Sequence, residues 1–267
     1  MTLEKEILGG SHLVFGAKEI SKGCTLFSNF SYLLYGEMSR GRDPKAKEIF
    51  LHNKDIPNYE MQLMHTDLPL LPIEVLNEHT EYYQVPKGEM PIYEGIIGDL
   101  HDVDIKKEAQ LAVAVKNIAI VQSKRIPVGC FELDPKPGVK GIIGLLIRCC
   151  DMKKSIEFWE KLGFNPLWQG NDFAYIKLKS LLSRRFIYIF FLATAKSSVE
   201  MFLNQEGIVC LSFFCKNADR LNRLFRDQGI VVGDCYDFRP FNQLLRIFFM
   251  KGPSGELYEF LSVIDKK

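Results

Sequence analysis

One structural unit recurs along this chain: an apolar strand runs directly into an amphipathic helix, which ends at a glycine. The unit is clearest at residues 141–164, GIIGLLIRCCDMKKSIEFWEKLGF, and it returns at residues 207–229, GIVCLSFFCKNADRLNRLFRDQG. Apolar residues at helical spacing predict each helix, and the glycine predicts where the helix stops. A third copy lies near the start of the sequence, in GGSHLVFGAKEISKGCTLFSNFSY. Repeated units of this kind must pack against one another, because one copy cannot bury its apolar face alone.

Short strands are predicted after each helix of the C-terminal half. Segments rich in β-branched and aromatic residues, NPLWQG, DFAYIKL and RRFIYIFFLAT, follow the helix of the 141 unit. IVVGDCYDF and QLLRIFFMKGPSGELYEFLSV follow the helix of the 207 unit, and a Gly-Pro-Ser-Gly turn joins the last two strands. Residues 141–264 therefore predict two βαβββ units in tandem, with eight strands and two helices.

The N-terminal half predicts a less regular pair of units. Residues 10–78 form a third unit, with strands expected near Tyr32–Gly36, Lys47–His52 and Leu70–Asn77. Residues 95–135 predict a shortened fourth unit, with a helix in KKEAQLAVAVKNI and a strand in GCFELD.

The predicted fold class is α+β, with tandem βαβββ units paired into curved, cup-like mixed sheets. Two such domains are expected, a degenerate pair at residues 1–140 and a regular pair at residues 141–267. The proline- and glycine-containing segment DPKPG, near Asp134–Val139, is the predicted linker between them.

Composition narrows the classes of function. The 267 residues are 47% hydrophobic and 25% charged, as in ordinary globular proteins, and the net charge of +1 predicts neither a nucleic-acid nor a membrane partner. The longest apolar run, FIYIFFLATA, is too short to span a bilayer, and the first residues lack the pattern of a signal peptide. Seven cysteines without a CxxC spacing argue against a disulfide framework or a structural zinc. We expect a cytoplasmic protein.

Two segments resemble the vicinal oxygen chelate superfamily, the group of glyoxalase I, bleomycin-resistance proteins, fosfomycin-resistance enzymes and extradiol dioxygenases. LLIRCCDMKKSIEFWEKLGF resembles that family's first strand and helix, and GPSGELYEFLSV resembles its closing turn and last strand. The resemblance implies that two βαβββ units form each cup. It also implies that metal ligands, where present, project into the cup from the first and last strands of the units.

Carried onto the N-terminal half, the resemblance places His12 at a first-strand ligand position and Glu74 at a last-strand carboxylate position. Glu132 is the equivalent carboxylate of the shortened unit, and His65 is a further donor. His12, Glu74 and Glu132 are the predicted metal ligands, and Glu74 is also a predicted catalytic carboxylate. The alternatives are a strand histidine bonded to a backbone carbonyl and two exposed charges on edge strands.

The C-terminal half keeps fewer candidate ligands. Gly144 and Cys210 stand at its first-strand positions, and Glu259 stands at its last-strand position. All five histidines lie in the first 101 residues, so this half cannot form a histidine-based iron site by itself. Glu259 is predicted as a catalytic carboxylate, with an inherited residue paired to an arginine as the alternative. Arg148, Cys210 and Arg246 are predicted to bind ligand, with a buried structural thiol as the alternative for Cys210.

Two hypotheses of function follow. The first is a metal-dependent lyase, isomerase or dioxygenase of the glyoxalase/dioxygenase type, acting on a small oxygenated substrate. Its divalent metal (Zn, Ni, Mn or Fe) would be held by the N-terminal domain only and would act as a Lewis acid. The alternative is a metal-free, small-molecule-binding protein of the resistance or sequestration type, with an apolar, aromatic-lined pocket. Both predict a small-molecule ligand, and a homodimer is the expected assembly.

Overall fold

The computed structural model describes the secondary-structure units of the chain and the loops closest to them. The described residues are 3–17, 19–28, 32–39, 47–53, 60–65, 93–97, 119–121, 142–149, 151–170, 173–179, 186–193 and 207–264. Within them the fold is α+β, with mixed sheets and few helices. None of the helices in these ranges is long and apolar enough to cross a membrane.

Four units follow one another along the sequence. The first comprises β1 (Ile7–Ala17), α1 (Ile20–Ser28), β2 (Tyr32–Ser39), β3 (Lys47–Asn53) and β4 (Glu60–His65). The second comprises β5 (Tyr93–Ile97) and β6 (Ala119–Val121). The third comprises β7 (Ile142–Cys149), α2 (Met152–Lys161), β8 (Trp168–Gln169), β9 (Phe173–Lys179) and β10 (Phe186–Ala193). The fourth comprises β11 (Gly207–Cys215), α3 (Ala218–Asp227), β12 (Tyr236–Phe238), β13 (Leu245–Lys251) and β14 (Leu257–Val263).

The eight strands and two helices predicted for residues 141–264 are present in the part of that range that the structure describes. Both helices have the expected local signals. Asp151 accepts a hydrogen bond from the Lys154 backbone N–H at the start of α2, and Asn217 does the same for Arg220 at the start of α3. After each helix a glycine takes a positive φ angle, 96° at Gly163 and 72° at Gly229, where a residue with a side chain is disfavoured.

The sheets join the units differently from the predicted pairing. The eight-stranded sheet has the order β12-β13-β14-β11-β1-β4-β3-β2, so it joins the first unit to the fourth. The six-stranded sheet has the order β6-β5-β7-β10-β9-β8, so it joins the second unit to the third. The expectation that each cup is built from neighbouring units, within 1–140 and within 141–267, is therefore wrong. Strand periodicity predicts that a strand is half-buried, but it does not encode which other edge it pairs with.

The last strand of the first unit lies earlier than predicted. β4 pairs in parallel with β1, and this is the place expected for a strand at Leu70–Asn77. The segment Leu70–Asn77 lies outside the described residues, as do the helix predicted in KKEAQLAVAVKNI and the strand predicted in GCFELD.

An aromatic core covers one face of the eight-stranded sheet. Trp159 of α2 packs edge-on against Tyr258 of β14, with ring centroids 5.4 Å apart, and against Phe213 of β11 at 6.1 Å. Phe225 of α3 packs edge-on against Phe260 of β14 at 5.2 Å. Because strand side chains alternate between faces, the residues next in sequence to these project from the opposite face.

Candidate functional site

A cavity of about 290 Å³ lies on the face of the eight-stranded sheet opposite this aromatic core. It is lined by both halves of that sheet: the first half-cup (β1–β4) and the second half-cup (β11–β14 with the loop before β13). The lining side chains are largely aromatic or aliphatic, with a polar group around one histidine. They are Ser11, His12, Val14, Tyr35, Glu48, Phe50, Glu60, Gln62, Met64, Phe214, Tyr236, Phe238, Pro240, Phe241, Gln243, Leu245, Ile247, Phe249, Glu259 and Leu261.

A β-bulge directs His12 into this cavity. Gly10 pairs with Phe213 and Leu13 pairs with Leu211, so Ser11 and His12 together stand opposite the single residue Ser212. Such a bulge re-aims side chains that would otherwise alternate, and bulges are over-represented next to active sites. Here Ser11 and His12 both line the cavity although they are neighbours in sequence.

A hydrogen-bonded chain connects four side chains at the junction of the half-cups. The Ser212 hydroxyl donates to Glu259 Oε2 at 2.5 Å, and Ser212 Oγ lies 3.1 Å from His12 Nε2. Because the one Ser212 proton points to the carboxylate, the geometry favours His12 Nε2–H as the donor to Ser212. Ser11 Oγ lies 3.0 Å from His12 Nδ1, which then accepts a hydrogen bond from the Ser11 hydroxyl.

Burial keeps His12 neutral at neutral pH. Loss of solvent lowers the pKa of the imidazole to about 4, and a hydrogen bond with the Gln62 side chain opposes this shift only in part. The His12 side chain is 12% exposed, and its Nε2 lies 3.4 Å from Glu259 Oε2. His12 therefore acts at this site as a neutral donor and acceptor.

Carboxylates surround the polar end of the cavity. Gln62 donates from Nε2 to Glu48 Oε2 at 2.8 Å, and both side chains are buried. Glu60 is the register partner of His12 on β4, and burial raises the pKa of its carboxyl group. Among the lining side chains described, none belongs to Lys or Arg.

The structure unites two predicted residues that the sequence assigned to different domains. His12 of the first unit and Glu259 of the fourth line one cavity. Cys210 is fully buried beside them without lining it. Burial and the nearby Glu259 charge raise the pKa of this thiol well above its usual value, which disfavours the thiolate.

Arg246 lies on the other face of the sheet, which corrects the expectation that it faces the cup. Its neighbours Leu245 and Ile247 line the cavity, whereas its guanidinium donates to Asp219 Oδ1 at 3.0 Å and to Asp237 Oδ1 at 2.9 Å. Two carboxylates therefore already neutralise this charge.

The remaining predicted residues stay predictions. Glu74 and Glu132 lie outside the described residues. Arg148 lies on β7 of the six-stranded sheet and His65 ends β4, but the description of these two residues does not extend to their side chains.

The donor set near His12 is incomplete for a transition metal. Within the described residues, no three His, Cys, Asp or Glu side chains lie close enough together to hold an ion. The His12–Glu259 separation would allow two ligands of one zinc-like ion, with bonds of roughly 2.0–2.2 Å. The Ser212 hydroxyl and the neutral Gln62 amide also contact His12, and both are weaker ligands for such metals. The described residues therefore do not fit a tightly bound metal.

Sequence reasoning missed Ser212, Glu60 and Gln62. The resemblance places His12 and Cys210, rather than Ser212, at equivalent first-strand positions, because the bulge in β1 is invisible in the sequence. Glu60 and Gln62 could have been found from the sequence. In EMQL, polar and apolar residues alternate, a pattern that predicts a half-buried strand with both polar side chains on one face.

Comparison with solved structures places this architecture in a known fold. A proposed dioxygenase from Bacillus subtilis matches over 97% of this chain and 86% of its own, with a TM-score of 0.58 and 13% identity. Glyoxalase I from Zea mays matches over 96% of this chain and 92% of its own, with a TM-score of 0.51 and 12% identity. No protein-family model and no curated protein sequence matches the chain. The chain has the fold of the vicinal oxygen chelate superfamily, as the resemblance predicted; identities this low show the fold alone.

Proposed function

We propose that the cup binds a small, largely aromatic molecule without requiring a metal ion. The observation that carries the proposal is the Ser212 hydroxyl, which hydrogen-bonds both His12 and Glu259. These two side chains would be the strongest metal ligands of the cavity. A neutral hydroxyl satisfies them instead, so the polar groups are paired without an ion.

The cavity walls support this proposal. Aromatic rings from both half-cups enclose a volume at the lower end of the range for small-molecule sites. The Glu259 carboxylate lines one end of the cavity and can accept more than one hydrogen bond, which fits a ligand with a single hydroxyl group. The ligand would therefore be held by ring contacts and oriented by one hydrogen bond.

A metal-dependent enzyme is the second candidate. The 3.4 Å separation of His12 Nε2 and Glu259 Oε2 favours it, because both groups could reach one ion. Glu74 or Glu132 would then have to supply a further carboxylate ligand. We also propose that the protein is cytoplasmic and forms a homodimer, as expected from the sequence.

Isothermal titration calorimetry with p-cresol, a neutral phenol, separates the two candidates. We expect chelator-treated protein to bind p-cresol at one site per chain, with an affinity that added Zn²⁺ or Ni²⁺ leaves unchanged. Glu259→Ala should weaken binding by about tenfold, the effect of losing one buried hydrogen bond. Arg246→Met, on the opposite face, is the control and should bind as the wild type does.

Two results would decide against the proposal. Binding that appears only after Zn²⁺ or Ni²⁺ is added, and that disappears in both His12→Ala and Glu259→Gln, would establish the metal-dependent site. Absence of p-cresol binding under every condition would remove the ligand-binding function as well.

A further inference from the structure

The cavity combines negative charge with aromatic rings at its open edge. Glu48, Glu60 and Glu259 all line it, and the described lining contains no Lys or Arg. His12 contributes no positive charge at neutral pH, because it is buried and uncharged. A cleft lined by one sign of charge concentrates ligands of the opposite sign.

The three carboxylates are not equivalent. Glu48 accepts a hydrogen bond from Gln62, and Glu259 accepts one from Ser212, so both are held by neutral donors within the sheet. Glu60 is partly buried, and in the described part of the chain no basic side chain forms an ion pair with it. Burial and the nearby Glu60 charge both raise the pKa of the Tyr35 hydroxyl. Burying the Glu60 carboxylate therefore costs free energy, and a positively charged ligand would offset more of that cost at Glu60 than at Glu48 or Glu259.

Three aromatic rings line the same cavity as this carboxylate and lie close to one another. Tyr35 of β2 lies 6.5 Å from Phe50 of β3 and 6.0 Å from Phe241, and Phe50 lies 5.1 Å from Phe241, all between ring centroids. Tyr35 and Phe241 are 56% and 45% exposed, so they form the edge of the cavity toward solvent. We call these three residues the aromatic edge.

Phe241 reaches this position at a conformational cost. Its φ angle is 47° and that of Asn242 is 66°, values that bulky residues rarely adopt. The ring crosses from the second half-cup to the first, where a Cβ atom on Gly36 of β2 would come within 2.7 Å of it. Strain of this kind persists where the surrounding structure holds it, and it clusters at ligand-binding sites.

We propose that the ligand of this cup is an organic cation, an ammonium or amidinium group on an apolar body, seated between Glu60 and the aromatic edge. The inference rests on the proposed ligand-binding function and names the ligand class. Ring faces attract cations, and a nearby carboxylate adds charge pairing in a site partly shielded from water.

Three probes of similar shape and different charge test the inference by calorimetry. They are phenyltrimethylammonium, its neutral isostere tert-butylbenzene, and the anion benzenesulfonate. We expect the cation to bind at least about tenfold more tightly than the neutral isostere, as cation–π contact and one charge pair together allow. The anion should bind most weakly.

Glu60→Gln should remove most of the preference for the cation and leave tert-butylbenzene affinity unchanged. Phe241→Leu, which keeps an apolar side chain but removes the ring face, should reduce the preference in the same direction. Glu37→Gln is the matched control, because Glu37 is an exposed glutamate on β2 that pairs with Lys47 and does not line the cavity. It removes the same charge and should keep the preference.

Failure of this inference differs from failure of the proposed function. If p-cresol and tert-butylbenzene bind but the cation binds no more tightly, or if Glu60→Gln keeps the preference, the cation assignment is overturned and the ligand-binding function stands. If neither p-cresol nor any of the three probes binds, both are overturned.

Discussion

The two half-cups have the same order of strands and contribute different chemistry to one cavity. The first half-cup supplies most of the polar side chains, including His12, Glu60 and Gln62. The second supplies Glu259 and a wall that is otherwise mostly apolar, such as Phe249 on β13. The backbones differ at their junction, where two residues of β1 face one residue of β11. Duplicated units can thus keep one architecture while the bulge at His12 and a few side chains give the two half-cups different chemistry.

The largest expected effect on stability comes from substituting a glycine of the second half-cup, and the first half-cup offers a matched glycine for comparison. A Cβ atom on Gly252, in the turn before β14, would lie within 2.3 Å of the Glu256 carboxyl carbon and 2.7 Å from a ring atom of Tyr258. Both side chains are fully buried and hydrogen-bonded to each other at 2.9 Å. Gly252→Ala should therefore lower the free energy of unfolding by about 3 kcal/mol, measured by urea denaturation.

The matched change in the first half-cup is Gly36→Ala. Its Cβ atom would meet the outer end of the Phe241 ring, which is half-exposed and can move. We expect a loss below about 1 kcal/mol, together with weaker phenyltrimethylammonium binding. Equal losses of stability in the two variants would contradict the view that the closing turn of the second half-cup is the more tightly packed.

The free energy of unfolding should also depend on pH through the first half-cup, by about as much as Gly252→Ala lowers it. The pKa of His12 is lowered from 6.5 to about 4 in the folded protein, so the unfolded chain binds more protons between these pH values. The stability contribution is complete above pH 6.5 and decreases as pH falls, reaching a loss of about 3 kcal/mol near pH 4.

Urea denaturation at several pH values from 7 to 4 measures this slope. His12→Gln, which cannot titrate, should flatten the slope, whereas His52→Gln replaces an exposed histidine of the same half-cup and serves as the control. A slope that His12→Gln leaves unchanged would show that other groups cause the loss.

The smallest expected effect lies on the outer face of the second half-cup. Arg246 is partly exposed and pairs with two exposed or half-exposed aspartates. Arg246→Met should lower the free energy of unfolding by only about 0.5 kcal/mol, the ordinary value of a surface ion pair, and should leave p-cresol affinity unchanged. A tenfold loss of p-cresol affinity would instead show that Arg246 contributes to ligand binding.

The sequence predicts the third and fourth units well, because each signal is local. Asp151 and Asn217 cap their helices, Gly163 and Gly229 end them, and strand alternation locates β7–β14. The pairing of units is not local. The contacts that choose between neighbouring and distant units are made by strand edges, which carry no side-chain signal of their own.

The candidate site shows the same limit. His12 and Glu259 were found because each is a ligand-type residue at a strand position that the resemblance marks. Their meeting in one cavity was not predicted, since it depends on which units pair. Ser212 was missed because the β1 bulge shifts the register, and a shift of one residue changes which side chain faces the site.

The pairing of β1 with β11 also determines when the cup can form during synthesis. His12 and Ser212 touch across 200 positions of sequence. At a synthesis rate of roughly 5–20 residues per second, β1 leaves the ribosome about 10–40 s before its partner strand exists. Through that interval one edge of β1 is unpaired, and closing so long a loop makes folding slow. A circular permutant that places the fourth unit directly before the first would make both half-cups consecutively, and it should refold faster while keeping the same cavity.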